Sequence, residues 1–263
     1  MPYKIENRKY AFTAQRIREL RPEPHIHSHL ELIYLKKGSG TAILDNREYL
    51  IGEGDCFLAF PNQIHFYHDR KPLEGYMIIF SPDLFVEFKE LFRRKTPAIP
   101  LLHRGDLPED MVSQLERIRE KRKSDLPYDE YAAKGFLLAL LGQMFTKMKF
   151  VDNPTDQDAI KRILTYCVEH YTEEINLEIL AKELYLNKHY ISHVFKERMN
   201  VNYKDFVNKL RVEHACSMLE KGVQVTESAY ASGFSSVRTF NRVFLKYMEM
   251  SPRDYKNSRG TSN

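Results

Sequence analysis

Residues 231–244 read ASGFSSVRTFNRVF. A Gly-Phe-Ser-Ser step separates two helix-forming runs, and Phe240 and Phe244 stand four apart among arginines. Gly233 suits a positive φ at a tight turn, a conformation few other residues tolerate. Phe240, Val243, Phe244 and Tyr247 fall on one face at helical spacing. The opposite face carries Arg238, Thr239, Asn241, Arg242 and Lys246, and no acid occurs between positions 235 and 248. A helix that must approach phosphates needs such an acid-free polar face. Arg238 and Arg242, one turn apart, can each reach guanine O6 and N7.

The pattern occurs twice. An upstream copy has Ala181, then Leu186-Asn187, Ile191, Phe195 and Lys196. The downstream copy has Ala229, then Phe234-Ser235, Phe240, Phe244 and Lys246. In each, a short helix with a small residue mid-way leads through a turn to a polar N-cap, Asn187 or Ser235. A second helix follows, with apolar residues four apart. This is the signature of a helix-turn-helix, and a longer amphipathic helix through Phe206, Leu210, Ala215, Met218 and Leu219 joins the copies. A single basic face is most simply a solvated bundle helix; two joined copies argue for DNA.

The rest of the 263-residue chain has another texture. Its 43% hydrophobic and 29% charged residues are ordinary for a globular protein, and the net charge of +4 permits nucleic-acid binding without arguing for it. From about 25 to 80, ELIYL, GTAIL, EYLI, DCFLAF and GYMIIF read as strands, broken by turn signals at KKGSG, LDNRE, IGEGD and FPNQ. From about 108 to 149 the period becomes helical. One stripe runs through Met111, Val112, Leu115 and Ile118, and a second runs from Phe136 to Phe145. VDNPTDQD then reads as a linker, which places a sensing domain at 1–152 and a DNA-binding domain at 153–263. The three cysteines form no CxxC pair and no disulfide framework. The N-terminus lacks an apolar signal core, and FLLALLGQMF is about half a membrane span. The expectation is a cytoplasmic protein with no membrane association.

Positions 155 to 256 resemble the AraC/XylS DNA-binding domain. The carrying residues are LAKELYLNKHYISHVFK, YKDFVNKLRVEHACSML and ESAYASGFSSVRTFNRVFLKY, followed by MSPRDY. The resemblance implies an all-α domain of two helix-turn-helix units bridged by one helix. It places His189, Ser192, His193 and Lys196 on the DNA face of the first recognition helix, opposite Ile191, Val194 and Phe195. In the family the two recognition helices enter successive major grooves, about 34 Å apart. Asn200 and Glu249 stand where the family often has Gly, and Tyr185 holds the turn position that Gly233 holds in the second unit.

In the strand region, PHIHSHLELIYLKKGSG resembles the first cupin motif: His25-x-His27, three residues, Glu31, six residues, Gly38. A looser second motif runs through Gly54-Asp55, Pro61-Asn62 and His65, with Asn62 where Gly is usual. In cupin enzymes the matching His, His, Glu and His hold a divalent metal. On a strand, His25, His27, His29 and Glu31 all share one face. The resemblance implies a cupin-like barrel with flanking helices. Its inward set of His25, His27, Glu31 and His65, with Tyr67 beside them, would take an effector. His25, His27, Glu31 and His65 can also hold a divalent metal, although AraC-type sensors are thought to bind sugars or other small effectors without one and no cofactor is required. The flanking helices either form a homodimer interface through Leu137, Leu138, Leu141 and Met144, with Leu115 and Ile118, or bury against their own barrel.

The expected protein is therefore a ligand-responsive transcription regulator and not an enzyme. It would bind double-stranded DNA as a homodimer, answer to a small molecule such as a sugar, and engage RNA polymerase if it activates. The alternative is a metal-binding cupin enzyme fused to a DNA-binding domain.

Overall fold

The computed structural model describes residues 4–6, 10–152 and 157–259. It divides after Asp158 into two compact units, a few residues beyond the expected boundary.

The first unit contains β1 (Lys4–Glu6), β2 (Phe12–Ile17), β3 (His25–His27), β4 (Leu30–Leu44), β5 (Arg47–Ile51), β6 (Cys56–Ala59) and β7 (His65–Phe80). After these come α1 (Lys89–Arg94), β8 (Lys95–Pro97), β9 (Leu101–Leu102), α2 (Met111–Lys123), α3 (Asp129–Phe145) and β10 (Phe150–Asp152). Two long strands organise it. The start of β4 pairs with β6 and with the end of β7, while its second half pairs with β5 and the start of β7. β7 also carries β2 along its end and meets β3 at His25↔His65. The expected hairpin at Asp45-Asn46 forms, both residues having positive φ, as two-residue hairpin loops prefer.

KKGSG, expected as a turn, is instead a kink inside β4. Register shifts fall between Leu35 and Gly40, with Gly38 at φ 86°. Because side chains alternate along a strand, these irregularities switch which parity faces inward. Ile33 and Leu35 join the interior cluster before the kink, and Ala42 and Leu44 join it afterwards. Leu30, Leu32 and Tyr34 face the other way, toward the helices. Glu31 shares the parity of Ile33 and so points into the interior.

The helical stripes resolve in favour of intradomain burial. Leu115, Ile118, Leu137, Leu141 and Met144 are fully buried against Phe12, Leu30, Leu32 and Phe80 of the sheet, and Leu138 is half-buried beside them. Those buried side chains therefore face the unit's own sheet, as the second of the two expectations has it. Glu116 on α2 adds a polar tie, accepting from Tyr76 of β7 and, at 2.5 Å, from Arg16 of β2.

The second unit is helical throughout: α4 (Gln157–His170), α5 (Leu177–Leu184), α6 (Lys188–Met199), α7 (Tyr203–Glu220), α8 (Val225–Ala231), α9 (Val237–Met248) and α10 (Pro252–Arg259). The α5–α6 and α8–α9 pairs are the two repeats. Their turns close alike: Leu186 N–H donates to Ala181 C=O, and Phe234 N–H to Ala229 C=O. Cys56, Cys167 and Cys216 are buried free thiols, and burial pushes Cys167 up to about 12, so packing accounts for them.

Candidate DNA-reading face and ligand site

The caps fix where each recognition helix begins and ends. Asn187 accepts from His189 N–H at the start of α6. At the start of α9 the cap is Ser236, accepting from Thr239 N–H, and not its neighbour Ser235. Both helices end on a left-handed residue, Asn200 at φ 50° and Glu249 at φ 56°. The departure at Glu249 therefore keeps the family's helix ending and adds strain where Gly would add none. Tyr185 closes α5 in the same conformation.

His189, Ser192, His193 and Lys196 all project from α6 as exposed residues, and Ile191, Val194 and Phe195 are buried beneath them. On α9, Arg238, Asn241, Arg242 and Lys246 are exposed over buried Phe240, Val243 and Phe244. Thr239 is half-buried, with its hydroxyl 3.0 Å from that of Ser236. Two details temper the expected set. Lys246 Nζ lies 2.7 Å from Asp205 on α7, so an internal carboxylate partly neutralises its charge. On α6 an acid, Glu197, follows His193 by one turn, 3.9 Å from its Nδ1.

A residue missed in the sequence, Arg211 of α7, joins the two repeats. Its guanidinium donates to Tyr171 C=O at 2.6 Å and to Glu173 C=O at 2.8 Å, and lies 5.8 Å from the Phe234 ring. The same backbone, Tyr171–Thr172, packs against Gly233 of the second turn. The entry to the first repeat and the turn of the second thus meet at one arginine. Arg211→Ala should cost about 2 kcal/mol of stability and let bound DNA vary in the spacing of its two elements, with base preference within each unchanged. Selection on duplexes of graded spacing checks this; an unaltered spacing optimum would make Arg211 a packing residue only.

In the first unit, β3, β4 and β7 bring four donors together. His25, His27, Glu31 and His65 are each at most 2% exposed, and their ligand atoms all lie within 4.8 Å of one another. Three backbone carbonyls orient the imidazoles. His25 Nδ1 meets Glu23 C=O at 2.8 Å, His27 Nδ1 meets His29 C=O at 3.0 Å, and His65 Nδ1 meets Gln63 C=O at 2.9 Å. A carbonyl only accepts, so each Nδ1 carries a proton, and each Nε2 faces the Glu31 carboxylate. From Glu31 Oε2 the Nε2 atoms of His27, His65 and His25 stand at 3.3, 3.8 and 4.0 Å. Burial opposes ionisation of Glu31, but the surrounding imidazoles prevail and hold its carboxyl well below the usual range. Burial pushes His65 down to about 4.

The supporting shell has no obvious sequence signal. Asp45 accepts from Ile64 N–H and from the Gln63 amide, and Gln63 in turn accepts from Phe60 N–H. This brace holds the carbonyl that orients His65. Asn62, at φ 59°, donates its N–H to His27 C=O; Asn in place of Gly keeps the turn because it tolerates the left-handed region. His29 leaves the expected set. The chain bends between β3 and β4, and its Nε2 bonds Tyr10 C=O at 2.9 Å instead. Tyr67 is buried beside the cluster, its ring 5.9 Å from that of His65.

Two family models match the chain: an AraC-like ligand binding domain over residues 10–141, just over half of the chain, and a helix-turn-helix domain over 180–258. The chain belongs to the AraC family of transcriptional regulators. Members of this family are ligand-responsive DNA-binding regulators, and so is this one. Curated relatives include the HTH-type transcriptional activator RhaS of Salmonella schwarzengrund and that of Klebsiella pneumoniae. Each is 23% identical, over 90% of this chain and 88% of its own. ToxT from Vibrio cholerae has the same fold: its solved structure matches 94% of this chain and 98% of its own, at 18% identity and a TM-score of 0.51. The AraC-family architecture thus accounts for both units, a β-rich cupin-like domain and a helical DNA-binding domain. Among the described residues no helix is long and apolar enough to cross a membrane.

Proposed function

We propose that this AraC-family regulator reads base sequence mainly through Arg238 and Arg242 of α9. In this reading Asn241 and Thr239 assist on α9, while His189, Ser192, His193 and Lys196 of α6 position the first repeat on the backbone. The observation that carries it is the pair of exposed arginines one turn apart over a buried aromatic face, the arrangement that reads guanine in a major groove. A homodimer bound to paired half-sites in the cytoplasm completes the picture. The RhaS relatives are named activators; the same role here would bring in RNA polymerase as a partner.

The signal would enter at His25, His27, Glu31 and His65, beside Tyr67. These residues fit a divalent metal: the Nε2 atoms of His25 and His65 are buried without a hydrogen-bond partner, and three imidazoles with one carboxylate suit Zn, Fe or Ni. When bound, such an ion supplies positive charge that joins three strands. The chain's own residues orient the donors through the backbone carbonyls of residues 23, 29 and 63.

The division of labour has a direct test. His27→Ala should abolish the response to the signal while leaving the selected DNA motif intact. A folded variant with a changed motif would show that the barrel takes part in base readout and would overturn this assignment.

A further inference from the structure

A recognition helix about 10–12 Å across fills a major groove of similar width, so a sugar-phosphate strand runs along each of its flanks. On α9, Arg238 and Arg242 lie near the middle of the exposed face. Lys246 and Asn241 mark its two edges, about 140° apart around the helix axis. The edges are furnished differently. At the first, Lys246 Nζ is held 2.7 Å from Asp205, and the Tyr247 hydroxyl donates to the same carboxylate at 3.0 Å. A phosphate arriving there competes with an anion already in place.

The other edge opens into a cavity of about 580 Å³ within the helical unit. Asn241 and Leu245 of α9, Val225 of α8, and Pro252, Arg253 and Lys256 of α10 line it. Among the described residues no carboxylate does. Asp254, next to Arg253 in the chain, accepts from the Ser251 hydroxyl at 2.6 Å. Arg253 is exposed and Lys256 half-buried, and among the described residues neither has an ion pair. Leu245 is 54% exposed, the most exposed apolar side chain of α9.

The two kinds of surface match the two parts of a DNA strand. Deoxyribose presents C–H surface that can bury against Val225, Leu245 and Pro252, and each phosphate presents an anion for Arg253 and Lys256. We infer that this groove seats the DNA strand beside the second recognition helix, with Arg253 and Lys256 on its phosphates and Leu245 on the sugar between them. The inference rests on reading α9 as the helix in the major groove. It gives α10, which takes no part in base readout, the task of setting the register of α9. A phosphate fixed on one flank of the helix fixes where Arg238 and Arg242 meet the bases. The guanidinium of Arg253 adds direction, because its planar fork can engage two phosphate oxygens at once.

The test uses the full chain and the duplex it enriches from a random pool. Single phosphates along both strands are replaced one at a time by neutral methylphosphonates, and affinity is measured between about 50 and 200 mM salt. Wild-type protein should lose about fivefold in affinity at one or two adjacent phosphates beside the step under α9. Arg253→Ala and Lys256→Ala should each weaken binding by a similar factor, uniformly across single-base variants of the site. Each should also make the slope of log affinity against log salt shallower by about 1. Arg253→Ala should be insensitive to the methylphosphonate that weakens the wild type, since charge and counter-charge count once. Arg253→Gln, which removes the charge and keeps a donor, should give the same slope and replaces the alanine variant if that fails to fold. Affinity within twofold of wild type and an unaltered slope in both variants overturn the inference. If transcription from a promoter bearing the duplex falls all the same, the groove docks a protein instead. A loss confined to one base position also overturns it, by making Arg253 a base reader. Failure of the wild-type protein to enrich any duplex would instead overturn the reading of α9 beneath it.

Discussion

Gly233→Ala is expected to destabilise the helical unit by about 3 kcal/mol or more, lowering its melting temperature by roughly 10–20 °C. Two effects combine. Gly233 sits at φ 85°, where an alanine is strained. A Cβ there would also lie 2.7 Å from Thr172 Cα, 2.7 Å from Thr172 O and 2.8 Å from Tyr171 O. Those atoms are backbone and cannot swing aside. The same stretch is held from the other side by Arg211, so any retreat would break a charge-assisted contact. Gly222 provides the control: its φ is 84°, but nothing lies within 4 Å of an added Cβ. Gly222→Ala should therefore cost only the backbone strain, about 1 kcal/mol. Helical CD on heating the full chain separates the two, and equal losses for both variants would show that the close approach at Gly233 carries no weight.

Arg242→Ala should reduce discrimination at a single base position by about 1–3 kcal/mol, roughly 5- to 150-fold, while preferences elsewhere in the site persist. Arg242 is exposed on α9 with no acid on its face, whereas the nearby Lys246 is paired with Asp205. An unpaired guanidinium keeps its full fork for guanine O6 and N7. Competition binding against single-base variants of the selected duplex measures the effect. Weaker binding that is uniform across those variants would assign Arg242 to a phosphate.

The helical unit was legible because its constraints are short-range. A helix-turn-helix demands a small residue, a turn, a cap and an apolar period within about 20 residues, and all of these lie in line at Ala229, Gly233 and Phe240. The one slip was the cap. Two serines stand side by side, and only the backbone geometry shows that Ser236 is the residue that folds back on Thr239. The barrel was less legible. KKGSG looks like a break, yet β4 runs through it, because long-range pairing outweighs local turn preference. Periodicity revealed that α3 buries Leu137, Leu141 and Met144, but it does not say against what; the sheet of the same unit proved to be the partner. The buried cluster was visible in the spacing of His25, His27 and Glu31. The carbonyls that orient it were not, since a backbone oxygen has no residue type.

Selection from a random duplex pool at near-physiological salt shows directly whether the paired recognition helices read DNA sequence. The expected result is a motif of two elements about one helical turn apart, with at least one guanine-containing step under α9. Binding by the folded protein with no enrichment in either the metal-loaded or the stripped state would contradict it.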